Sequence, residues 1–144
     1  MLKRSLFATI FLLLTFNLQA ATLQGKVVSV ADGDTLTVLD DKKTQHKIRL
    51  QGIDAPEKAQ AFGQKSKQSL NQLVHSKMVT VEFEKKDNYG RTVGKVLLND
   101  TDVCLEQIKL GMAWHYKKYA SEQPKTDREI YAQAEQLAKS QGIG

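Results

Sequence analysis

The chain has 144 residues, with 21 lysines and arginines, 16 aspartates and glutamates, three histidines and one cysteine. This length indicates one folded domain, and a single cysteine excludes an internal disulfide framework and disfavours a zinc or copper centre. The formal net charge of +5 permits a polyanionic partner without requiring one.

The first twenty residues have the pattern of a secretory signal peptide. Lys3–Arg4 is a basic start, Leu6–Phe16 is almost entirely apolar, and Ala20 is a small residue at a cleavage point. We predict cleavage after Ala20, with Ala21 as the alternative, and export to a periplasm or the medium. A retained N-terminal anchor is the other reading, which the short apolar run disfavours. The predicted domain is then 21–144. Cleavage would remove Lys3 and Arg4, which leaves 19 of the 21 basic residues against 16 acidic residues and a net charge of +3.

Alternating apolar and polar residues predict three strands at the start of this domain. The strands are expected at Thr22–Ala31, Thr35–Leu39 and Gln45–Gln51. Asp32-Gly33 is a tight-turn pair between the first two strands, and a polar turn separates the second from the third. Strands joined by such short turns form an antiparallel meander.

The apolar spacing becomes helical over Lys58–His75 and then alternates again over Val79–Phe83 and Thr92–Leu98. A short helix is expected over Asp102–Leu110, and a capping box at Thr126–Glu129 predicts the start of a last helix. The apolar stripe expected on that last helix consists of Ile130, Ala134, Leu137 and Ala138. This order predicts an α+β fold, a five-stranded OB-type β-barrel with an inserted helix and two C-terminal helices.

Charged side chains concentrate at the end of the third predicted strand and in the loop after it, where functional residues are often found. Arg49, Asp54 and Glu57 lie in this stretch, and Asp34 lies in the earlier Asp-Gly-Asp-Thr turn. Carboxylates completed by carbonyl and water oxygens suit calcium or magnesium. The alternatives are an ordinary turn at Asp34 and a rim salt bridge of little value at Arg49.

Three motifs occur in order along the chain. They are Asp-Gly-Asp-Thr at Asp32–Thr35, Arg-Leu-Gln-Gly-Ile-Asp-Ala-Pro-Glu at Arg49–Glu57 and Tyr-Gly-Arg at Tyr89–Arg91. Together they resemble the staphylococcal nuclease family over nearly the whole chain after the first twenty or so residues. The resemblance implies a calcium-dependent enzyme that hydrolyses phosphodiester bonds of DNA and RNA, with single strands preferred and 3′-phosphates as products. A monomer is the default expectation.

The resemblance also implies individual roles. The positions that match catalytic residues are Arg49, Glu57 and Arg91. The positions that match metal ligands are Asp34, Asp54 and the backbone carbonyl of Ala55, where a threonine is more familiar in the family. The positions that match substrate contacts are Tyr89 and, more loosely, Tyr116.

Elementary chemistry agrees with these roles, because planar guanidinium groups donate paired hydrogen bonds to the nonbridging oxygens of a phosphoryl group. Aromatic residues interleaved with lysines between positions 114 and 119 suit single-stranded nucleic acid. We expect Trp114 to fill the core and Cys104 to be a small buried residue. A non-catalytic OB-type binding module is the rival function, but a pure binder does not need the intact catalytic and metal positions.

Overall fold

The computed structural model describes residues 21–144, and the predicted signal peptide lies outside these described residues. The strands are β1 (Ala21–Asp32), β2 (Thr35–Leu39), β3 (Gln45–Leu50), β4 (Ile53–Asp54), β5 (Met78–Lys86), β6 (Thr92–Leu98), β7 (Thr101–Asp102) and β8 (Trp114–His115). The helices are α1 (Gly63–Val74), α2 (Val103–Lys109) and α3 (Lys125–Ser140), and a 3-10 segment covers Lys117–Glu122. None of the helices within residues 21–144 has the length and apolarity needed to cross a membrane.

The long strands form a closed barrel. Strands β1, β2 and β3 make the predicted antiparallel meander, and β1 also pairs with β5, which pairs with β6. Parallel pairing between β3 and β6 closes the sheet. The predicted α+β class and five-stranded OB-type barrel are confirmed, and closure leaves few unpaired strand edges.

The apolar side chains that alternate with polar ones along the strands fill the barrel interior. Fully buried strand residues are Val27, Leu36, Val38, Ile48, Leu50, Val81 and Val96. Helix α1 covers them with Leu70 and Val74, and α2 covers them with Ile108. Cys104 is also completely buried, as predicted, and burial raises the pKa of its thiol. Because thiolate formation is disfavoured there, Cys104 acts as a packing residue.

Helix α1 begins five residues later than predicted, at Gly63 rather than Lys58. The chain after Pro56 first makes a turn, in which the Gln60 N–H donates to the Glu57 carbonyl oxygen at 2.8 Å. No acidic residue lies in the first turn of α1. Glu57 therefore does not interact with the dipole of α1.

The predicted capping box of α3 is wrong. The helix begins at Lys125 with Pro124 at the N-cap and no side-chain cap, so Thr126 already lies within the first turn. Glu129, the acidic member of the predicted box, lies 3.9 Å from Lys125 Nζ on the helix surface instead. Asp127 stays in the first turn of α3 and binds Lys95 of β6 at 3.1 Å.

The predicted apolar stripe of α3 is wrong in half of its members. Ala134 and Ala138 are buried, but Ile130 and Leu137 are exposed, and the large buried side chain is Tyr131. The Tyr131 hydroxyl donates to Asp102 Oδ2 at 2.5 Å. This bond docks α3 against the N-cap residue of α2, so a polar contact sets the rotation of the helix.

Candidate active site

The barrel register brings the ends of three strands together. Asp34 directly precedes β2, whose first residue Thr35 pairs with Arg49 of β3. Arg49 also faces Val93 across the parallel β3–β6 ladder, so Arg91, two positions earlier, lies at the same end. Side chains from distant parts of the sequence therefore share one end of the barrel.

The Asp-Gly-Asp turn before β2 is supported by both α1 and α2. A side chain at Gly33 would collide with Ser66 of α1, so this close approach requires glycine. The buried Gln107 of α2 donates to the carbonyl oxygens of Gly33 at 2.9 Å and Ser66 at 3.2 Å. Asp34 consequently projects from a backbone that is already held in place.

Asp34 is a buried carboxylate with hydrogen-bond donors on both oxygens. The Thr35 hydroxyl donates to Oδ1 at 3.0 Å, and the Ala55 N–H donates to Oδ2 at 2.9 Å. Burial, followed by the nearby Asp32, raises the pKa of Asp34 to about 6, although the Arg49 charge opposes this shift. The neighbouring positive charge is therefore too small to cancel the effect of burial on the pKa of Asp34.

Arg49 links the two predicted metal-binding carboxylates. Its Nη1 donates to the carbonyl oxygens of Leu50 at 2.9 Å and Ile53 at 2.8 Å. Its Nη2 lies 3.4 Å from Asp34 Oδ2 and 3.5 Å from Asp54 Oδ1. The guanidinium thus holds the loop that carries Asp54 and faces both carboxylates at once.

Glu57 lies just beyond this loop with its side chain exposed. Its backbone N–H donates to Gln60 Oε1 at 2.7 Å, which holds the main chain. Within residues 21–144 the Glu57 carboxylate makes no hydrogen bond or ion pair. It is therefore available to accept a proton from, or to orient, a water molecule.

The donor set fits an oxygen-binding cation. No group of three or more His, Cys, Asp or Glu side chains suited to a metal occurs within residues 21–144, so a cation here would be held by fewer than three such side chains. A buried carboxylate with too little neighbouring positive charge, beside a second carboxylate at Asp54, suits calcium or magnesium completed by carbonyl and water oxygens. The hydrogen bond at Ala55 comes from its N–H, and the role of its carbonyl oxygen stays a prediction.

Arg91 is oriented by the tight turn between β5 and β6. Its Nε donates to Asp87 Oδ2 at 2.7 Å, and its backbone N–H donates to Asp87 Oδ1 at 3.0 Å. Gly90 supplies the positive φ of 77° that the turn requires. The Arg91 guanidinium lies 5.3 Å from the ring centre of Tyr89, and this tyrosine is 85% exposed. Sequence reasoning missed Asp87, although its spacing of four from Arg91 across a glycine turn is a readable signal.

Both arginines line one cleft of about 530 Å³, together with Tyr89 and Tyr116. The Arg49 guanidinium lies 5.8 Å from the ring centre of Tyr116. Five basic and two acidic side chains line this cleft. They are Arg49, Lys85, Lys86, Arg91 and Lys118 against Asp87 and Glu122. This excess of positive charge suits a polyanion.

Trp114 is not a core residue, contrary to prediction. It is 49% exposed and pairs with Asp54 through the short β4–β8 ladder. The large buried aromatic side chain in this region is Tyr131, which belongs to α3 itself. Because β8 is a short ladder at the surface, Trp114 points outward while the neighbouring His115 is buried.

Comparisons with known proteins agree on one family. A family model described as "Staphylococcal nuclease homologue" matches residues 47–144. A Haemophilus influenzae protein described as "Uncharacterized endonuclease" is 42% identical, over 100% of this chain and 79% of that protein. A Shigella flexneri protein described as "Micrococcal nuclease" is 36% identical, over 86% of this chain and 74% of that protein. An Escherichia coli O157:H7 "Uncharacterized endonuclease" is 43% identical over 69% of this chain and 65% of its own length.

Proposed function

The chain belongs to the staphylococcal nuclease family and is a phosphodiester-hydrolysing nuclease, and we propose that it is an exported, calcium-dependent enzyme acting on DNA and RNA. The observation that carries this proposal is the position of Arg49, whose Nη2 lies within 3.5 Å of both Asp34 and Asp54. Arg91 lines the same cleft. Asp34 and Asp54 are not among the residues that line this cleft, so Arg49 connects the two carboxylates with the cleft in which a phosphoryl group would bind.

Each of these residues has a role in the proposed reaction. Asp34, Asp54 and the Ala55 carbonyl would hold a calcium ion, which would supply positive charge beside the phosphoryl group. Glu57 orients the attacking water and accepts its proton as the water oxygen bonds to phosphorus. The phosphorus–oxygen bond to the 5′-oxygen breaks and that oxygen takes up a proton from solvent, which leaves a 3′-phosphate and a 5′-hydroxyl.

The arginines act on the charge that develops in the transition state. Fixed donors aimed at the nonbridging oxygens lower the barrier because they need no reorganisation as the charge grows. The hydrogen bonds of Arg49 to Leu50 and Ile53, and of Arg91 to Asp87, provide this preorganisation. Arg91 also assists the departing oxygen in this proposal.

The cleft supports a single-stranded substrate. Tyr89 and Tyr116 offer aromatic faces beside Arg91 and Arg49, an arrangement that stacks unpaired bases next to bound phosphates. Bases within a duplex are already stacked on each other and cannot use these faces. We expect the protein to act as a monomer.

A digestion assay tests the proposal. Purified protein is expected to nick plasmid DNA and to digest single-stranded DNA and RNA in calcium, with single strands degraded faster. Chelation should stop digestion, and added calcium should restore it. Undiminished digestion in chelator would refute the metal dependence, and no digestion in calcium would favour a binding module.

Export is a separate part of the proposal, and it rests on the basic start, the apolar run and Ala20. Mass spectrometry of protein recovered from the periplasm or medium is expected to show a mature N-terminus at Ala21 or Thr22. As a control, replacing Ala20 with an arginine should block cleavage, because the processing site requires a small residue. Recovery of most of the protein with Met1 intact would refute the prediction.

A further inference from the structure

Lys85 and Glu122 form an ion pair at the rim of the candidate active-site cleft. Lys85 Nζ lies 2.5 Å from Glu122 Oε2, and the two side chains are 47% and 43% exposed. They come from β5 and the 3-10 segment, so the pair joins opposite parts of the cleft wall. Both residues line the cleft that contains Arg49 and Arg91.

Lys85 lies beside an aromatic ring and a second lysine. Its Nζ lies 5.4 Å from the ring centre of Tyr119, and Lys118 Nζ lies 5.4 Å from the same ring. Tyr119 packs edge-on against Tyr116 with 5.3 Å between the ring centres. The ring holds two ammonium groups close together, and this pair of positive charges suits a phosphate.

The backbone of β5 directs Lys85 toward this place. The pairing of β5 with β6 shifts register between Phe83 and Lys85, which pair with Gly94 and Val93. Such bulges redirect the side chains that follow them and are frequent near active sites. The neighbouring Lys117 instead binds Glu135 of α3, so Lys118 is the member of that lysine pair that lines the cleft.

From this geometry we infer that Lys85, Lys118 and Tyr119 form a phosphate-binding subsite that the Glu122 carboxylate masks until substrate displaces it. A carboxylate and a phosphate present the same kind of charged oxygen to Lys85, so they compete for it. An exposed ion pair contributes little stability, so its displacement costs little. This inference rests on the proposed nucleic-acid substrate and adds a residue, Glu122, that limits affinity for it.

The masking predicts a specific effect on affinity. In wild-type protein Lys85 must release the Glu122 carboxylate before it binds a phosphate. In Glu122→Gln it binds the phosphate without this competitor, so affinity at low salt should rise about fivefold. Lys85 neutralises one phosphate in both proteins, so the slope of log affinity against log salt, which grows by about 0.7 for each phosphate neutralised on a single strand, should stay unchanged.

Binding of a short fluorescein-labelled oligothymidylate in chelator, followed by fluorescence anisotropy over a salt series, tests this. Glu129→Gln is the matched control, because Glu129 forms an exposed ion pair with Lys125 at 3.9 Å on α3 outside the cleft. It removes the same charge and should leave the affinity unchanged. Lys85→Ala should weaken binding about fivefold in the Glu122→Gln background and much less in wild type, as a double-mutant cycle.

Equal low-salt affinities of wild type, Glu122→Gln and Glu129→Gln would overturn the masked subsite. So would an equal effect of Lys85→Ala in both backgrounds, because Lys85 would then bind phosphate without competition. Hydrolysis in calcium is measured separately on the wild-type protein. An inactive protein that shows the predicted affinities would refute the proposed function alone, and an active protein with equal affinities would refute the subsite alone.

Discussion

Replacing Arg91 with lysine is expected to lower the turnover rate about 100- to 1,000-fold while binding of single-stranded DNA is largely kept. The Arg91 Nε is already bound to Asp87, which turns the guanidinium into a fixed donor with its terminal nitrogens left for a ligand. Lysine keeps the charge but has a single nitrogen, so it cannot bind Asp87 and also present two planar donors to a phosphoryl group.

Arg49→Lys is expected to lose rate by a similar factor for a related reason. Arg49 Nη1 holds the carbonyl oxygens of Leu50 and Ile53, while Nη2 faces Asp34 and Asp54. A lysine cannot satisfy both sets of contacts. Because these losses fall on the transition state rather than on substrate binding, turnover should fall while KM changes little.

Steady-state kinetics on single-stranded DNA, after thermal melts have shown that each variant folds, would measure these losses. Arg128→Lys is the matched control, because Arg128 lies on α3 and does not line the cleft. It makes the same chemical change and should keep the wild-type rate. A folded Arg91→Lys enzyme with near wild-type turnover would show that Arg91 is not catalytic.

Asp34→Asn is expected to abolish calcium binding and activity and, in the absence of calcium, to stabilise the fold at neutral pH. Burial, followed by the neighbouring Asp32, raises the pKa of Asp34 to about 6 from its ordinary value of 3.8. A raised carboxyl pKa means that the folded state binds the proton more tightly than the unfolded state does. The stability contributed by Asp34 is therefore present below pH 3.8 and is lost as pH rises through about 6.

Asparagine does not titrate, so the free energy of unfolding of the calcium-free variant should exceed that of the wild type by about 1–3 kcal/mol above pH 7. This difference in stability should shrink as the pH falls toward 4. Calcium should reverse the order, because a thousandfold excess of calcium over its Kd stabilises the wild type by about 4.1 kcal/mol. The variant lacks the ligand and gains nothing from calcium.

Thermal and denaturant unfolding with calcium and with chelator, at several pH values, would measure both effects. Asp41→Asn is the matched control, since Asp41 lies in the exposed turn at the other end of the β2–β3 hairpin. It should behave as wild type throughout. An equal calcium-induced rise in Tm for Asp34→Asn and wild type would remove Asp34 from the metal site.

The sequence by itself determined the features that depend on neighbouring residues. Strand alternation, the Asp32-Gly33 turn and the glycine turn before Arg91 are set by side-chain period and backbone chemistry over a few positions. Those local patterns predicted β2 and β6 to the residue, and Cys104 was correctly expected to be buried. The motifs identified the family because they lie in such local elements.

The tertiary structure decided what depends on contacts between distant residues. The parallel pairing of β3 with β6 brings Arg91 to the cleft that Arg49 also lines, and no local pattern encodes that register. Tyr131 rather than Ile130 lies in the core, with its hydroxyl bonded to Asp102 at the N-cap of α2. Lys85 meets Glu122 only through the tertiary fold. Local periodicity carries no information on such partners, since the energy that selects them comes from contacts far apart in the chain.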